Sequence, residues 1–139
     1  MTDWPMKKLV FGVVLVAISS GAMAEWTLLF FGQDGDGRKL YLDADTVRWS
    51  ATNTVRAWLM LDLKTPQKMG KKSFSSVKTL REFDCKDDRA RNLSVIFYSG
   101  KMGDGESLSV DEKPSDWVYV APGTLDAQNL NFMCKDTTK

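Results

Sequence analysis

The sequence of 139 residues contains no histidine, two cysteines and four prolines. Because catalytic triads, many metal sites and pH switches depend on imidazole, the missing histidine excludes the His-dependent forms of each. The 19 basic residues nearly balance the 18 acidic ones. This balance argues against nucleic acid as a partner, because proteins that bind nucleic acid usually carry a strong excess of positive charge. Any catalysis by this chain would have to use Asp, Glu, Ser, Lys, Tyr or Cys side chains.

A long hydrophobic run is also missing. The apolar stretch 9–18 has ten residues, about half of the roughly 20 that a membrane-spanning helix requires. It follows Lys7 and Lys8 and precedes small residues that end in Ala24. This order predicts a signal peptide over 1–24, cleaved before Glu25. An uncleaved interfacial or signal-anchor helix is the alternative, and either Met1 or Met6 can serve as the start.

The predicted signal peptide indicates a periplasmic or secreted protein with a single domain over residues 25–139. No cysteine lies near the predicted cleavage site, so we expect no lipoprotein anchor and no stable membrane insertion after cleavage.

Cys85 and Cys134 both lie in the predicted mature chain. Export to an oxidising compartment favours a disulfide between them. Closing a loop of roughly 50 residues stabilises a fold by about 4 kcal/mol in the chain-entropy treatment. A catalytic or redox cysteine is the alternative, but the sequence has neither a CxxC spacing nor a histidine to lower a thiol pKa.

Hydrophobic periodicity predicts an α+β fold. Between Val55 and Leu63, alternate residues are apolar, as expected for a central strand with one buried face. After Pro122 the period changes, and Thr124 is placed to cap a helix that carries Cys134. The prediction is a mostly antiparallel β-sheet of about six strands with a C-terminal α-helix tethered by one disulfide. The runs that predict strands are 26–31, 39–43, 54–63, 74–85, 89–98, about 108–110, and 117–121.

Residues 64–72 contain four lysines, one proline, one glycine and no acidic residue. We interpret this segment as a basic loop. The favoured interpretation is a solvated loop that keeps a sheet edge from pairing. The functional alternative is a loop that binds acidic glycans or acidic segments of a protein partner, with an affinity that falls as salt rises. The candidate ligand-binding residues are Lys64, Lys68, Lys71 and Lys72.

Three other features have simpler structural interpretations. Residues 34–45 fail as a calcium loop because Arg38 and Lys39 occupy a ligand position and the glycine position. Glu82 and Asp84 are conceivable as a general acid–base pair, but cross-strand ion pairing with Arg91 explains them better. The glycine-rich segment 100–105 is interpreted as a long hairpin loop. We therefore expect no catalytic residue, no cofactor and no metal.

Aromatic residues are interpreted in two ways. An exposed set would stack on sugar rings or a peptide, whereas a buried set would belong to the core, which is the favoured interpretation. The residues concerned are Trp49, Trp58, Trp117 and Tyr119.

An ordered set of residues resembles the surface-adhesin protein E family of Gram-negative bacteria. Its first half comprises Trp26, Tyr41, Asp43, Val55, Trp58, Ser76, Lys78 and Glu82-Phe83-Asp84-Cys85. Its second half comprises Arg91, Tyr98, Met102-Gly103-x-Gly105, Trp117-x-x-Val120-x-Pro122-Gly123-Thr124 and Cys134. The resemblance implies a small β-sheet domain with a C-terminal helix and one disulfide. It also implies adhesion to host extracellular-matrix or serum glycoproteins.

Two functional hypotheses follow. The first is an exported, non-enzymatic, adhesin-like interaction protein that binds a protein partner or an acidic glycan. The second is a periplasmic structural or accessory protein that binds a cell-envelope partner by strand addition. A homodimer formed by sheet-edge pairing is compatible with either hypothesis.

Overall fold

The computed structural model describes residues 25–31 and 37–135. The predicted signal peptide lies outside the described residues. No helix in the described ranges is long and apolar enough to cross a membrane. The elements are β1 (Trp26–Phe31), β2 (Lys39–Asp43), β3 (Arg48–Trp49), β4 (Thr54–Met69), β5 (Lys72–Asp84), β6 (Arg89–Tyr98), β7 (Ser107–Asp111), β8 (Val118–Tyr119) and α1 (Leu125–Lys135), with two 3₁₀ turns at Ala44–Thr46 and Lys101–Gly103.

The described strands form one antiparallel sheet in the order β1-β2-β4-β5-β6-β7, and β3 and β8 pair with β4 and β6. The α+β prediction is confirmed, and the predicted six strands correspond to this continuous path. The two additional strands have two residues each. Strand β3 was not predicted, because two residues are too few for alternation to reveal, whereas β8 is the central part of the run predicted at 117–121.

Side-chain alternation along β4 defines two faces of the sheet. Val55, Ala57 and Leu59 are buried on the face that packs against α1, which we call the helix face. The intervening residues, from Arg56 to Asp62, lie on the opposite face, which we call the open face. Pairing carries these faces across the sheet, since Val55 lies opposite Phe83 and Trp58 opposite Leu80.

The C-terminal helix is fixed to the sheet as predicted. The Thr124 hydroxyl accepts a hydrogen bond from the N–H of Ala127 at 3.2 Å, which caps the first turn. Leu130 and Met133 are buried against the helix face. Cys134 forms the predicted disulfide with Cys85, with a Cα–Cα distance of 5.7 Å.

Candidate interaction surface

The predicted basic loop is a β-hairpin. Strand β4 continues to Met69, and β5 begins at Lys72, so Gly70 and Lys71 form a two-residue turn. Gly70 has a φ of +60°, a conformation that glycine adopts without strain. The prediction of a loop was wrong. We call residues 63–74 the hairpin arm.

Pro66 is tolerated in the arm because the strand pairing is interrupted around it. Residues 63–66 lie opposite the single residue Ser75, since pairing breaks off after Asp62 and resumes at Gln67. A bulge leaves backbone N–H groups outside the regular ladder. The missing N–H of Pro66 therefore breaks no regular rung.

The four lysines are exposed, but they do not form a single patch. Lys68 pairs with Ser73, and Met69 pairs with Lys72. Because successive residues point to opposite sides of a strand, Lys68 and Lys72 project from opposite faces of the arm. The Nζ of Lys72 lies 3.2 Å from Glu106. Within the described ranges, Lys64, Lys68 and Lys71 form no ion pair.

A groove of about 560 Å³ lies at the base of the arm, and we call it the basic groove. Arg38 and Lys64 supply its positive charge, and Phe74 supplies an aromatic wall. Arg38 was not a predicted site residue, because it lies outside the lysine-rich segment in the sequence. The lining residues are Arg38, Leu61, Leu63, Lys64, Thr65, Gln67 and Phe74.

Two contacts hold the groove in shape. A methyl group added at Gly37, where φ is +63°, would lie 2.5 Å from Cδ of Lys64. The backbone of Gly37 therefore lies directly against the Lys64 side chain. Phe74 packs edge-on against Phe97 with ring centroids 5.0 Å apart, a favourable aromatic geometry.

The segment from Ser99 to Glu106, which we call the latch loop, packs on the sheet at the base of the arm. Ser76 is fully buried. Its hydroxyl donates to the carbonyl of Gly100 at 2.6 Å and accepts from the N–H of Gly103 at 2.9 Å. Asp62 accepts from the N–H of Met102 at 2.9 Å. The predicted hairpin loop is thus present, with specific hydrogen bonds to β4 and β5.

The latch loop also places two charged residues, Lys101 and Glu106, against the hairpin arm. The Nζ of Lys101 donates to the carbonyl of Leu63 at 2.8 Å, where the arm begins. At the other end of the loop, Glu106 meets Lys72. Ion pairs this exposed contribute little stability, so the Lys72 pair mainly lowers the local positive charge.

The four aromatic residues singled out in the sequence do not share one surface. Trp49 packs against the core on the helix face, whereas Trp58 lies on the open face. Trp117 lies against the guanidinium carbons of Arg89 and Arg91, at 4.8 and 4.4 Å from the ring centroid. Tyr119 is 74% exposed.

The open face carries a different aromatic group. The Nζ of Lys78 lies 5.3 Å from the ring centroid of Tyr98 and 5.7 Å from that of Trp26. These distances fall within the range of cation–π attraction. Met60 is fully buried opposite Lys78.

Glu82 and Asp84 act as partners of arginine, as the favoured interpretation expects. The Oε1 of Glu82 accepts a hydrogen bond from Nε of Arg91 at 3.0 Å and lies 2.9 Å from Nη2 of the same arginine. Asp84 accepts from Nε of Arg89 at 2.9 Å and from the N–H groups of Lys86 and Asp87. The carboxylate of Asp84 therefore closes the turn between β5 and β6.

The pKa of Asp84 reflects these contacts. Burial raises the pKa of its carboxyl, but the hydrogen bond from Arg89 and those from two backbone amides outweigh burial and lower it below its ordinary value. The pKa of Arg89 is raised, mainly by the same hydrogen bond to Asp84. A carboxylate held ionised in this way stabilises the turn.

Residues 25–31 and 37–135 contain no group of three or more His, Cys, Asp or Glu side chains placed to hold a metal ion. The described residues form a single antiparallel sheet with a disulfide-tethered C-terminal helix and a projecting, lysine-bearing hairpin. This combination of features defines the class of protein. The family model for surface-adhesin protein E matches residues 26–135, and the chain belongs to that family.

Solved structures of protein E from Haemophilus influenzae share this fold. One crystal form has a TM-score of 0.59 at 14% identity and covers 78% of this chain and 87% of its own. A selenomethionine form has a TM-score of 0.58 at 13% identity, covering 77% and 84%. A structure from a non-typeable strain has a TM-score of 0.56 at 14% identity, covering 77% and 74%. No curated protein matches the sequence. At these identities the structural likeness establishes the fold alone.

Proposed function

We propose that this chain is an exported, non-enzymatic adhesin-like protein, and that it binds acidic groups of host extracellular-matrix or serum glycoproteins through the hairpin arm and the basic groove. The proposal includes cleavage of a signal peptide over residues 1–24 and a single domain over 25–139. Membership of the surface-adhesin family supports the general activity. The location is periplasmic or secreted.

The basic groove carries this proposal. Arg38 and Lys64 flank apolar side chains that include Leu61 and Phe74. An acidic ligand in the groove would be attracted by the positive charges and would also make apolar contacts with these side chains. Both interactions would favour binding. Lys68 and Lys71 extend the positive charge toward the tip of the arm. Such binding weakens as salt screens the exposed charges.

Specific edges of the sheet support a second candidate, a periplasmic accessory protein that binds an envelope partner by strand addition. Among the described strands, β1 pairs with β2 alone and β7 with β6 alone. Both edges expose an apolar residue, since Leu28 is 50% exposed and Val110 is 52% exposed. The same edges would serve a homodimer formed by sheet-edge pairing.

A solid-phase assay of the oxidised protein against laminin, vitronectin and heparin tests the first function. We expect saturable binding to at least one of these at low salt, weakened when Lys64, Lys68 and Lys71 are changed together to Gln. A control variant, Lys113→Gln, removes one exposed charge elsewhere. No binding at low salt, or equal binding by the triple variant and the wild type, would reject the proposal.

Protease treatment of intact cells separates the two candidates. Digestion of the protein on intact cells, or its recovery from the medium, supports the adhesin. Protection until the outer membrane is opened supports the accessory protein.

A further inference from the structure

Two arginines face each other across neighbouring strands, away from the hairpin arm. Arg48 on β3 lies directly opposite Arg56 on β4. Like charges in this arrangement destabilise a sheet. Within the described part of the chain, neither guanidinium forms an ion pair with a carboxylate.

The nearest acidic position does not neutralise them. Glu82 lies opposite Arg56 in the strand register, but the ion pair of its carboxylate is with Arg91. Asp45 offers Arg48 its backbone carbonyl and not its carboxylate. The opposed arginines therefore keep a net positive charge.

Arg48 is also held in place although it is exposed. Its Nη1 donates to the carbonyls of Asp45 and Val47, each at 2.8 Å. A guanidinium carries five N–H donors, so donors remain for a ligand. Because the side chain is already ordered, less conformational entropy is lost when a ligand binds.

These residues enclose a pocket of about 240 Å³, which we call the arginine pocket. The hydroxyls of Ser50 and Thr54, 2.6 Å apart, form part of its wall and add hydrogen-bonding groups. Its lining residues are Arg48, Trp49, Ser50, Thr54, Arg56 and Glu82.

We propose that the arginine pocket binds an oxyanion, either a carboxylate or a sulfate group, between the guanidinium groups of Arg48 and Arg56. Arginine recognises planar and tetrahedral oxyanions through paired charge-assisted hydrogen bonds. A bound anion would also remove the repulsion between the two side chains. The site would hold one acidic residue of a protein partner or one sulfate of a glycan.

This pocket is separate from the hairpin arm. Arg56 and Lys68 lie near opposite ends of β4, and a strand rises about 3.3 Å per residue. The separation is therefore roughly 30–40 Å along the sheet, and one small anion cannot contact both sites. If one of the two sites proves not to bind an anion, binding at the other site can still be tested independently.

The test is an NMR titration of the ¹⁵N-labelled, oxidised protein purified from the periplasm. Sodium sulfate and sodium acetate are titrated separately, with ionic strength held constant by sodium chloride. We expect saturable shifts at Thr54 and Arg56 with at least one anion. Saturation by sulfate alone indicates a sulfated ligand, and saturation by acetate alone indicates an acidic protein segment.

Arg56→Gln should weaken that binding about tenfold or more, the loss expected when a bidentate charge-assisted contact is removed. Lys113→Gln removes one positive charge at an exposed position outside the pocket and should leave the affinity unchanged. Arg48→Lys keeps the positive charge but loses the planar guanidinium with its paired N–H donors. It provides a second test if Arg56→Gln does not fold. Linear shifts with both anions, or equal losses in the Arg56 and Lys113 variants, would overturn the proposal.

Discussion

Asp62 and Ser76 lie directly opposite each other on β4 and β5, and both hold the latch loop through its backbone amides. Both residues are buried, Ser76 completely. Their side chains are therefore part of the structure that fixes the base of the hairpin arm.

Ser76→Ala tests this role. The change leaves the N–H of Gly103 and the carbonyl of Gly100 without their partner, and we expect a loss of about 1–3 kcal/mol in the free energy of unfolding. Urea denaturation measures it. Ser109→Ala, at an exposed position of β7, is the control and should change stability little. Equal effects of the two changes would contradict the assignment.

A glycine of the latch loop is expected to tolerate substitution less well than the glycine of the hairpin arm. Gly105 and Gly70 both have positive φ, at +78° and +60°. A methyl group at Gly105 would overlap the hydroxyl of Ser99, whereas one at Gly70 would meet nothing within 4 Å. Gly105→Ala should therefore lower the melting temperature more than Gly70→Ala, which bears the backbone strain alone. Equal shifts in thermal unfolding would contradict this explanation.

The disulfide between Cys85 and Cys134 should contribute strongly to stability. It closes a loop with a sequence separation of 49 residues, and its removal should cost about 4 kcal/mol. Urea unfolding of the oxidised wild type and of the double variant Cys85→Ala/Cys134→Ala measures this cost. A change below about 1 kcal/mol would show that α1 is held by packing alone.

Asp84 predicts how stability depends on pH. Its pKa is lower in the folded protein than its ordinary value, so the unfolded chain binds a proton more readily. The contribution of Asp84 is complete above the unfolded pKa of about 3.9 and is lost as pH falls through the lower, folded pKa. The stability of wild type should therefore fall more steeply than that of Asp84→Asn below about pH 4.

Chemical denaturation from pH 7 to pH 2.5 measures this difference. Asp116→Asn removes a charge from an exposed position and serves as the control. Parallel pH profiles for the wild type and Asp84→Asn would contradict the role assigned to Asp84.

Strand positions were largely predictable because alternation is a local property of the sequence. The periodicity at 54–63 and the change of period after Pro122 both correspond to observed elements. The arm was not predictable, because Pro66 and Gly70 are typical of loops and the bulge that accommodates Pro66 depends on pairing with β5.

The basic groove could not be predicted from the lysine-rich segment. Arg38 and Lys64 are brought together by the pairing of β2 with β4, a contact that leaves no local signal. The lysines themselves were identifiable, but their division between the two faces of the arm follows from strand register.

The residues that carried the family resemblance have mainly structural roles. Phe83 is fully buried, Ser76 and Gly103 hold the latch loop, and Thr124 caps the helix. They explain why the sequence pattern predicted the fold so well. The proposed ligand site lies elsewhere, on exposed positions that this pattern does not constrain.

The most direct test of the central claim is the affinity of the oxidised protein for immobilised heparin at low and moderate salt. Removing positive charge from the arm and the groove rim should weaken binding about tenfold, with a smaller salt dependence. The variants are Lys64→Gln/Lys68→Gln and the control Lys113→Gln, which should bind as the wild type does. Equal affinities for all three proteins would contradict the claim that the hairpin arm binds acidic ligands.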